Sequence, residues 1–433
     1  MYSLKHFKLN SQNHLEIGGC DTVELAAQYG TPLYVMDEDR IRENMRAYKN
    51  AIDKYYGGNG LALYASKALS TVQMYKITAE EGLGVDVVSG GELYTALKAG
   101  FDPSKIYFHG NNKTYDEIDM AVKNKVGIFV ADSHSELDML CDAAKRYSQT
   151  IDVMFRIKPG VEAHTHEFIS TGQIDSKFGF AIENGEAIEI IKYAKDLEGI
   201  NIIGLHCHIG SQIFDTEPFV LAAQIMMNFY ATVKEELGIE LERLDLGGGF
   251  GISYTAEDKP LEFEEYIRAA SAAIKKVCDE KGLKQPYMLM EPGRSIVGDA
   301  GITLYTVGSI KDIPNVRKYV SVDGGMGDNP RYILYEALYD GVLANRAADA
   351  PEEMVTVCGK CCESGDIIIK EARLPKAKTG DILAVMSTGA YNYSMASNYN
   401  RIPRPPVVLA QDGKSRVIVK RETYEDLIKN DIL

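Results

Sequence analysis

The stretch Leu241-Glu-Arg-Leu-Asp-Leu-Gly-Gly-Gly-Phe-Gly251 is a short apolar run that breaks into glycines, and Tyr287-Met-Leu-Met-Glu-Pro-Gly-Arg294 is its counterpart further on. Glycine runs let backbone N–H groups come close to a phosphate. The arginine fork of the second stretch suits phosphate or carboxylate. In a (β/α)8 barrel the loops after strands seven and eight commonly build the phosphate site. The fold therefore turns on whether these runs are the seventh and eighth.

Counting back from them answers this. Earlier β-rich apolar runs stand at Leu61–Tyr64, Val85–Val88, Ile106–Phe108, Gly127–Val130, Asp152–Ile157 and Ile202–His206, which makes Leu241–Leu246 seventh and Tyr287–Met290 eighth. Amphipathic segments lie between them, clearest at Pro218–Leu237 and Phe263–Lys281, and Glu38–Lys54 precedes the first run. Glu92 and Glu136 sit in first helical turns, where the helix dipole favours acids. Parallel strands need crossovers, and helices supply them. The alternation alone also allows an open doubly wound sheet. The two glycine loops, however, fall where the barrel rule puts a phosphate site.

From about residue 300 the texture changes to strand-like runs with turn punctuation at Gly301–Ser309, Lys318–Val322, Met354–Val357, Asp366–Glu371, Asp381–Met386, Val407–Leu409 and Ser415–Lys420. The expected fold class is α/β: a (β/α)8 TIM barrel over residues 35–298, plus a C-terminal antiparallel β-sandwich or β-barrel domain over 299–433, joined by residues 1–34.

Composition narrows the function classes. The 433 residues are 45% hydrophobic and 25% charged, an ordinary globular balance. Forty-seven basic against 62 acidic residues give a net charge of −15, which argues against a general nucleic-acid binder but not against a small anion. No run reaches the roughly 18 apolar residues of a spanning helix, so no membrane association is expected. Met1–Asn10 is polar and lacks the apolar core of a signal peptide. With seven cysteines, an odd number, the expectation is a cytoplasmic protein with reduced thiols.

The ends of the runs carry the chemistry. The first ends Tyr64-Ala-Ser-Lys67, where the lysine is either a surface residue or a nucleophile made reactive by desolvation. The sixth ends His206-Cys-His-Ile-Gly-Ser211. Two histidines beside a cysteine suggest metal, but no CxxC or HExxH partner stands nearby, so no metal is expected. A flat imidazole there would equally stack on a planar ligand. Glu291 needs a partner if buried: either a salt bridge at the barrel mouth or the ring nitrogen of a cofactor. Lysine, phosphate site, stacking imidazole and carboxylate together describe a pyridoxal-phosphate pocket. Beyond the barrel, Gly327–Arg331 with Tyr335, the thiol-bearing turn Cys361–Asp366, and Ser387–Tyr391 are polar loops suited to a ligand.

At these residues the sequence resembles the diaminopimelate decarboxylase family, of the alanine-racemase-like fold group of pyridoxal-phosphate enzymes. The resemblance covers nearly the whole chain. It is carried by YASKA around Lys67, HCHIGSQ at His206–Gln212, LDLGGGFGISY at Leu244–Tyr254, EPGR at Glu291–Arg294, DNPR at Asp328–Arg331, CCESGD at Cys361–Asp366 and TGAYNYSMASNYN at Thr388–Asn400. The resemblance implies pyridoxal 5'-phosphate as cofactor and decarboxylation of meso-2,6-diaminopimelate to L-lysine. It implies that Lys67 carries the cofactor, His208 stacks on its ring and Glu291 pairs with its ring nitrogen. Ser211, Gly248, Gly249, Pro292, Gly293, Arg294 and Tyr391 would line the cofactor, and Arg294, Arg331, Tyr335, Glu363 and Tyr391 would hold the substrate. Cys362 would act as general acid across the interface of a homodimer. Where the family has a small residue after the tyrosine of its LYGA segment, this chain has Glu336.

Two other readings remain open. One is a decarboxylase of ornithine, arginine or carboxynorspermidine; the ornithine and arginine enzymes share EPGR and GGGF. The other is a non-catalytic pyridoxal-phosphate carrier, against which the arginine and Cys-Glu turn of the β-domain argue.

Overall fold

The computed structural model describes residues 7–161 and 176–432; the first six residues of the polar start Met1–Asn10 lie outside them. The chain divides into two compact units. One runs Asn44–Gly251 and Pro260–Ser295; the other takes the residues up to Glu43, Ile252–Lys259 and those from Ile296 onward.

Among the described residues of the first unit, eight parallel strands form the barrel wall: β1 (Gly60–Ala65), β2 (Gly84–Val87), β3 (Ile106–Phe108), β4 (Ile128–Ala131), β5 (Ile151–Lys158), β6 (Ile200–His206), β7 (Arg243–Asp245) and β8 (Tyr287–Met290), and the two-residue strand Phe180–Ala181 pairs parallel with the end of β5. Each pairs with the next, and β8 returns to β1 with Met288 opposite Gly60 and Met290 opposite Ala62, so the sheet closes. A barrel leaves no edge strand, and both faces of each strand are covered. That is why β2, β3 and β4 read as unbroken buried runs. Leu63, Tyr107, Ile128, Val130, Met154, Ile203 and Leu289 form one buried cluster drawn from six of the strands.

Local chemistry starts and stops the helices between strands. Ser89 and Ser133 accept the N–H of Glu92 and Glu136 as N-caps, and Thr114 with Glu117 forms a full capping box. Helices Glu217–Leu237 and Phe263–Lys281 each end on a left-handed glycine, Gly238 and Gly282. At Gly204 the pairing of β5 with β6 shifts register. A Cβ there would sit 2.1 Å from the Arg243 carbonyl oxygen, so only glycine lets β6 and β7 approach. Among the described residues no helix is long and apolar enough to cross a membrane.

The second unit is built on a sheet ordered Ile367–Leu374, Glu353–Cys358, Arg317–Val322, Gly301–Ile313, Leu33–Asp37, Val407–Gln411 and Lys414–Val419. Most pairings are antiparallel, as expected. Two differ: Arg317–Val322 runs parallel to Glu353–Cys358, and Leu33–Asp37 runs parallel to Val407–Gln411. In both cases long intervening chain, rather than a hairpin, brings the strands together, and no local signal reports that direction. The N-terminal residues make a small three-stranded sheet and a helix, Thr22–Tyr29, capped by Asp21. Leu15, Ile17, Leu25 and Leu33 pack with Ile302, Leu304 and Val408 in one core, which joins this segment to the β-unit.

Candidate active site

In the barrel unit, the residues singled out by sequence gather where the strands end. Lys67 lies in a single 3-10 turn, Ser66–Ala68, directly after β1, with its side chain exposed. Asp86 on β2 holds that turn: its Oδ1 accepts the Ser66 N–H at 3.1 Å, and its carbonyl oxygen accepts the Ser66 hydroxyl. The lysine is thus mounted on a fixed turn.

The loops after β6, β7 and β8 interlock through glycines. A Cβ at Gly248 would stand 2.2 Å from the Glu291 carbonyl oxygen, and one at Gly249 would stand 2.5 Å from that of Gly210. At Gly293 a Cβ would meet that of Ala65 at 2.8 Å. The Gly248 N–H donates to His208 Nδ1 at 3.2 Å, which fixes the half-buried imidazole. Burial and the positive Lys67 push the His208 pKa down, so its ring stays neutral and flat. Arg294 is buried beside Pro292 and Gly293, and its guanidinium donates to the Ser211 hydroxyl at 2.8 Å.

Glu291 is 8% exposed and has two histidines against it. His206 Nε2 lies 3.3 Å from its Oε2, in hydrogen-bonding geometry. His109 Nε2 lies 2.9 Å from Oε1, so an imidazole stands against each carboxylate oxygen. Burial alone would raise the Glu291 pKa; His109 and His206 overcome it and hold the group well below the usual range. Cys207 is buried and its thiol is pushed up by burial and by Asp245, so it takes no part as a thiolate.

These features fit pyridoxal 5'-phosphate. An open glycine-lined approach, an arginine–serine pair, a neutral flat imidazole and an exposed lysine are each present. The buried carboxylate of Glu291 is the kind of group that a ring N–H would pair with.

In the β-unit, Arg331 opens the short helix Arg331–Tyr335 and is 8% exposed. Its guanidinium lies over the rings of Tyr391 at 5.1 Å, Tyr335 at 5.5 Å and Tyr254 at 6.0 Å. Its Nε is buried without a hydrogen-bond partner. The structure therefore brings Arg331, Tyr335 and Tyr391 together. Cys362 and Glu363 lie on a separate exposed turn, where Asn400 accepts the Cys362 N–H at 2.7 Å and Tyr399 donates to Glu363 at 3.4 Å. Buried Asp366 holds this turn, accepting the N–H groups of Cys361 at 2.7 Å and Met326 at 2.6 Å.

Glu336 caps the Arg331–Tyr335 helix at φ 51, in the left-handed region that favours glycine. This explains the family's small residue there, and Glu336 bears the strain instead. Glu336→Gly is expected to stabilise by about 0.5–1 kcal/mol, the steric relief less the added chain entropy. The midpoint of thermal unfolding should rise by about 1–3 °C. A lower midpoint would contradict this.

Sequence reading passed over His109, Asp86 and Asp245, and gave His206 no partner. Each stands at or just past a strand end, so the rule that found Lys67 and Glu291 also points to them. It missed Tyr254 because nothing local marks a ring that a distant arginine will use.

Comparison with known proteins agrees with this geometry. Residues 38–298 match the family "Pyridoxal-dependent decarboxylase, pyridoxal binding domain". The chain is 51% identical to diaminopimelate decarboxylase of Bacillus subtilis over 423 residues, covering 98% of this chain and 96% of the relative. It is 52% identical to that of Bacillus methanolicus, covering 98% of each. Among solved structures, diaminopimelate decarboxylase from M. jannaschii in complex with L-lysine superposes with a TM-score of 0.91 at 38% identity, covering 100% of this chain and 99% of that one.

Proposed function

The chain belongs to the pyridoxal-dependent decarboxylases and, within them, to the diaminopimelate decarboxylases, and from that premise we propose how its own residues divide the work. It is a carboxy-lyase that converts meso-2,6-diaminopimelate to L-lysine and carbon dioxide in lysine biosynthesis, with pyridoxal 5'-phosphate as cofactor. The cofactor supplies an electron sink for the pair left behind when carbon dioxide departs.

Lys67 would anchor the cofactor through its side-chain amine, the nucleophile such a group needs. Glu291 would pair with the ring nitrogen and favour its protonated form, and His208 would stack on the ring. Ser211, Gly248, Gly249, Gly293 and Arg294 would hold the phosphate with backbone N–H groups and the guanidinium, and Pro292 and Tyr391 are assigned to the cofactor as well. Arg294 and Arg331 take substrate carboxylate, Glu363 takes the distal ammonium, and Tyr335 and Tyr391 orient them. Amino acids without a distal carboxylate leave a buried arginine unpaired and are rejected for that reason. Cys362 of the partner subunit returns a proton to the α-carbon. One observation supports this assignment: Glu291 is buried and held as a carboxylate by His109 and His206, just past β8 and beside the strand that carries Lys67.

The working unit is a homodimer in the cytoplasm. Exposed Ile333 and Leu334 on the Arg331–Tyr335 helix, with Leu338 just after it, supply apolar surface that supports a subunit contact. All seven cysteines are free, which supports a reducing compartment. Carbon dioxide release from diaminopimelate, ornithine, arginine, lysine and carboxynorspermidine tests the substrate. Turnover is expected with diaminopimelate and L-lysine as its product; no lysine from diaminopimelate would refute the reading.

A further inference from the structure

His109 follows β3, His206 ends β6 and Glu291 follows β8, so three barrel strands deliver two imidazoles and one carboxylate to a single buried spot. The rings meet edge-on, with centroids 4.8 Å apart and planes at 75°. The direct contacts to Glu291, at 2.9 and 3.3 Å, account for this clustering without an ion.

Two further buried carboxyls, Asp86 at the end of β2 and Asp245 at the end of β7, act on Glu291, and Lys67 and Arg156 supply the nearby positive charge. Three buried carboxyls this close do not all ionise. Burial, and then the charge of Glu291, push Asp86 and Asp245 up, which favours their protonated forms against the backbone N–H groups of Ser66 and Gly247. Only Glu291 has histidines against it, and only Glu291 is drawn down. Burial pushes His206 itself down to about 4, so it serves as a neutral N–H donor rather than as a cation.

We propose that His109 and His206 are positioning residues: together they select Glu291 as the ionised carboxylate of the pocket floor and aim it at the cofactor's ring nitrogen. This rests on the pairing of Glu291 with that nitrogen proposed above. Both imidazoles contact Glu291 and each other. Without them the negative charge spreads to Asp86 and Asp245, and the ring nitrogen loses its acceptor.

The test reads cofactor affinity, not turnover. The dissociation constant from apoenzyme is measured by fluorescence titration for pyridoxal 5'-phosphate and for an analogue with carbon in place of the ring nitrogen. The wild-type chain is expected to prefer the natural cofactor by about tenfold or more, the range of a charge-assisted hydrogen bond. The doubly substituted His109→Leu/His206→Leu chain should bind both alike, and His109→Gln/His206→Gln, which keeps an N–H donor at each place, should recover most of the preference. A leucine variant that weakens both ligands equally, leaving the ratio intact, would show a merely structural role and overturn the proposal. Glu291→Gln separates the two levels. A ratio lost there but kept in the histidine variants defeats the inference alone. A ratio kept there, or absent in the wild type, defeats the pairing of Glu291 with the ring as well.

Discussion

Lys67→Ala is expected to lower the turnover of diaminopimelate by about 10³-fold or more, the upper part of the range for removing a residue that acts directly on the reacting atoms. The fold should survive. The Lys67 side chain is exposed, and the turn beneath it is held by Ser66 and Asp86, which stay in place. Borohydride reduction of the wild-type enzyme with its cofactor should add the mass of the reduced cofactor to the peptide containing Lys67. The variant should gain no such mass. A folded Lys67→Ala enzyme with undiminished carbon dioxide release would remove this lysine from the mechanism.

Cys362→Ala is the second large effect. A proton donor contributes about 10²–10⁴-fold, so kcat should fall within that span while KM moves by no more than a few-fold. The thiol sits on a turn whose backbone is fixed by Asp366 and Asn400, so deleting it disturbs no core contact. The same variant tests the shared site. Mixing Lys67→Ala chains with Cys362→Ala chains should recover about a quarter of wild-type activity at equal proportions, because half the dimers are mixed and each of those holds one intact site. Confirmed mixed dimers without recovered activity would confine each site to one chain.

Much of the barrel is legible along the sequence. Parallel strands covered on both faces must be apolar throughout, and Ile106–Phe108 and Tyr287–Met290 fall in the structure where the apolar runs put them. Helix Phe263–Lys281 matches the amphipathic stretch residue for residue. In the β-unit, Gly341–Leu343 was not anticipated: it is a three-residue strand with no alternation long enough to register. Helix Thr22–Tyr29 was not anticipated, although Asp21 caps it. The left-handed turn at Glu336 shows why one family position is small, which the sequence showed only as a departure.

The sequence by itself determined the barrel, the strand ends and the residue types gathered there, because period, glycine placement and apolar runs are local properties of a chain. Tertiary structure alone decided which carboxyl carries charge. Asp86, Asp245 and Glu291 are alike as residues. They differ in that His109 and His206, 182 and 85 positions away along the chain, lie against Glu291 only. The direction of the two parallel pairings in the β-unit and the ring of tyrosines around Arg331 belong to the same class. Each is a contact between distant residues whose strength comes from exclusion of water, and burial exists only once the chain has folded.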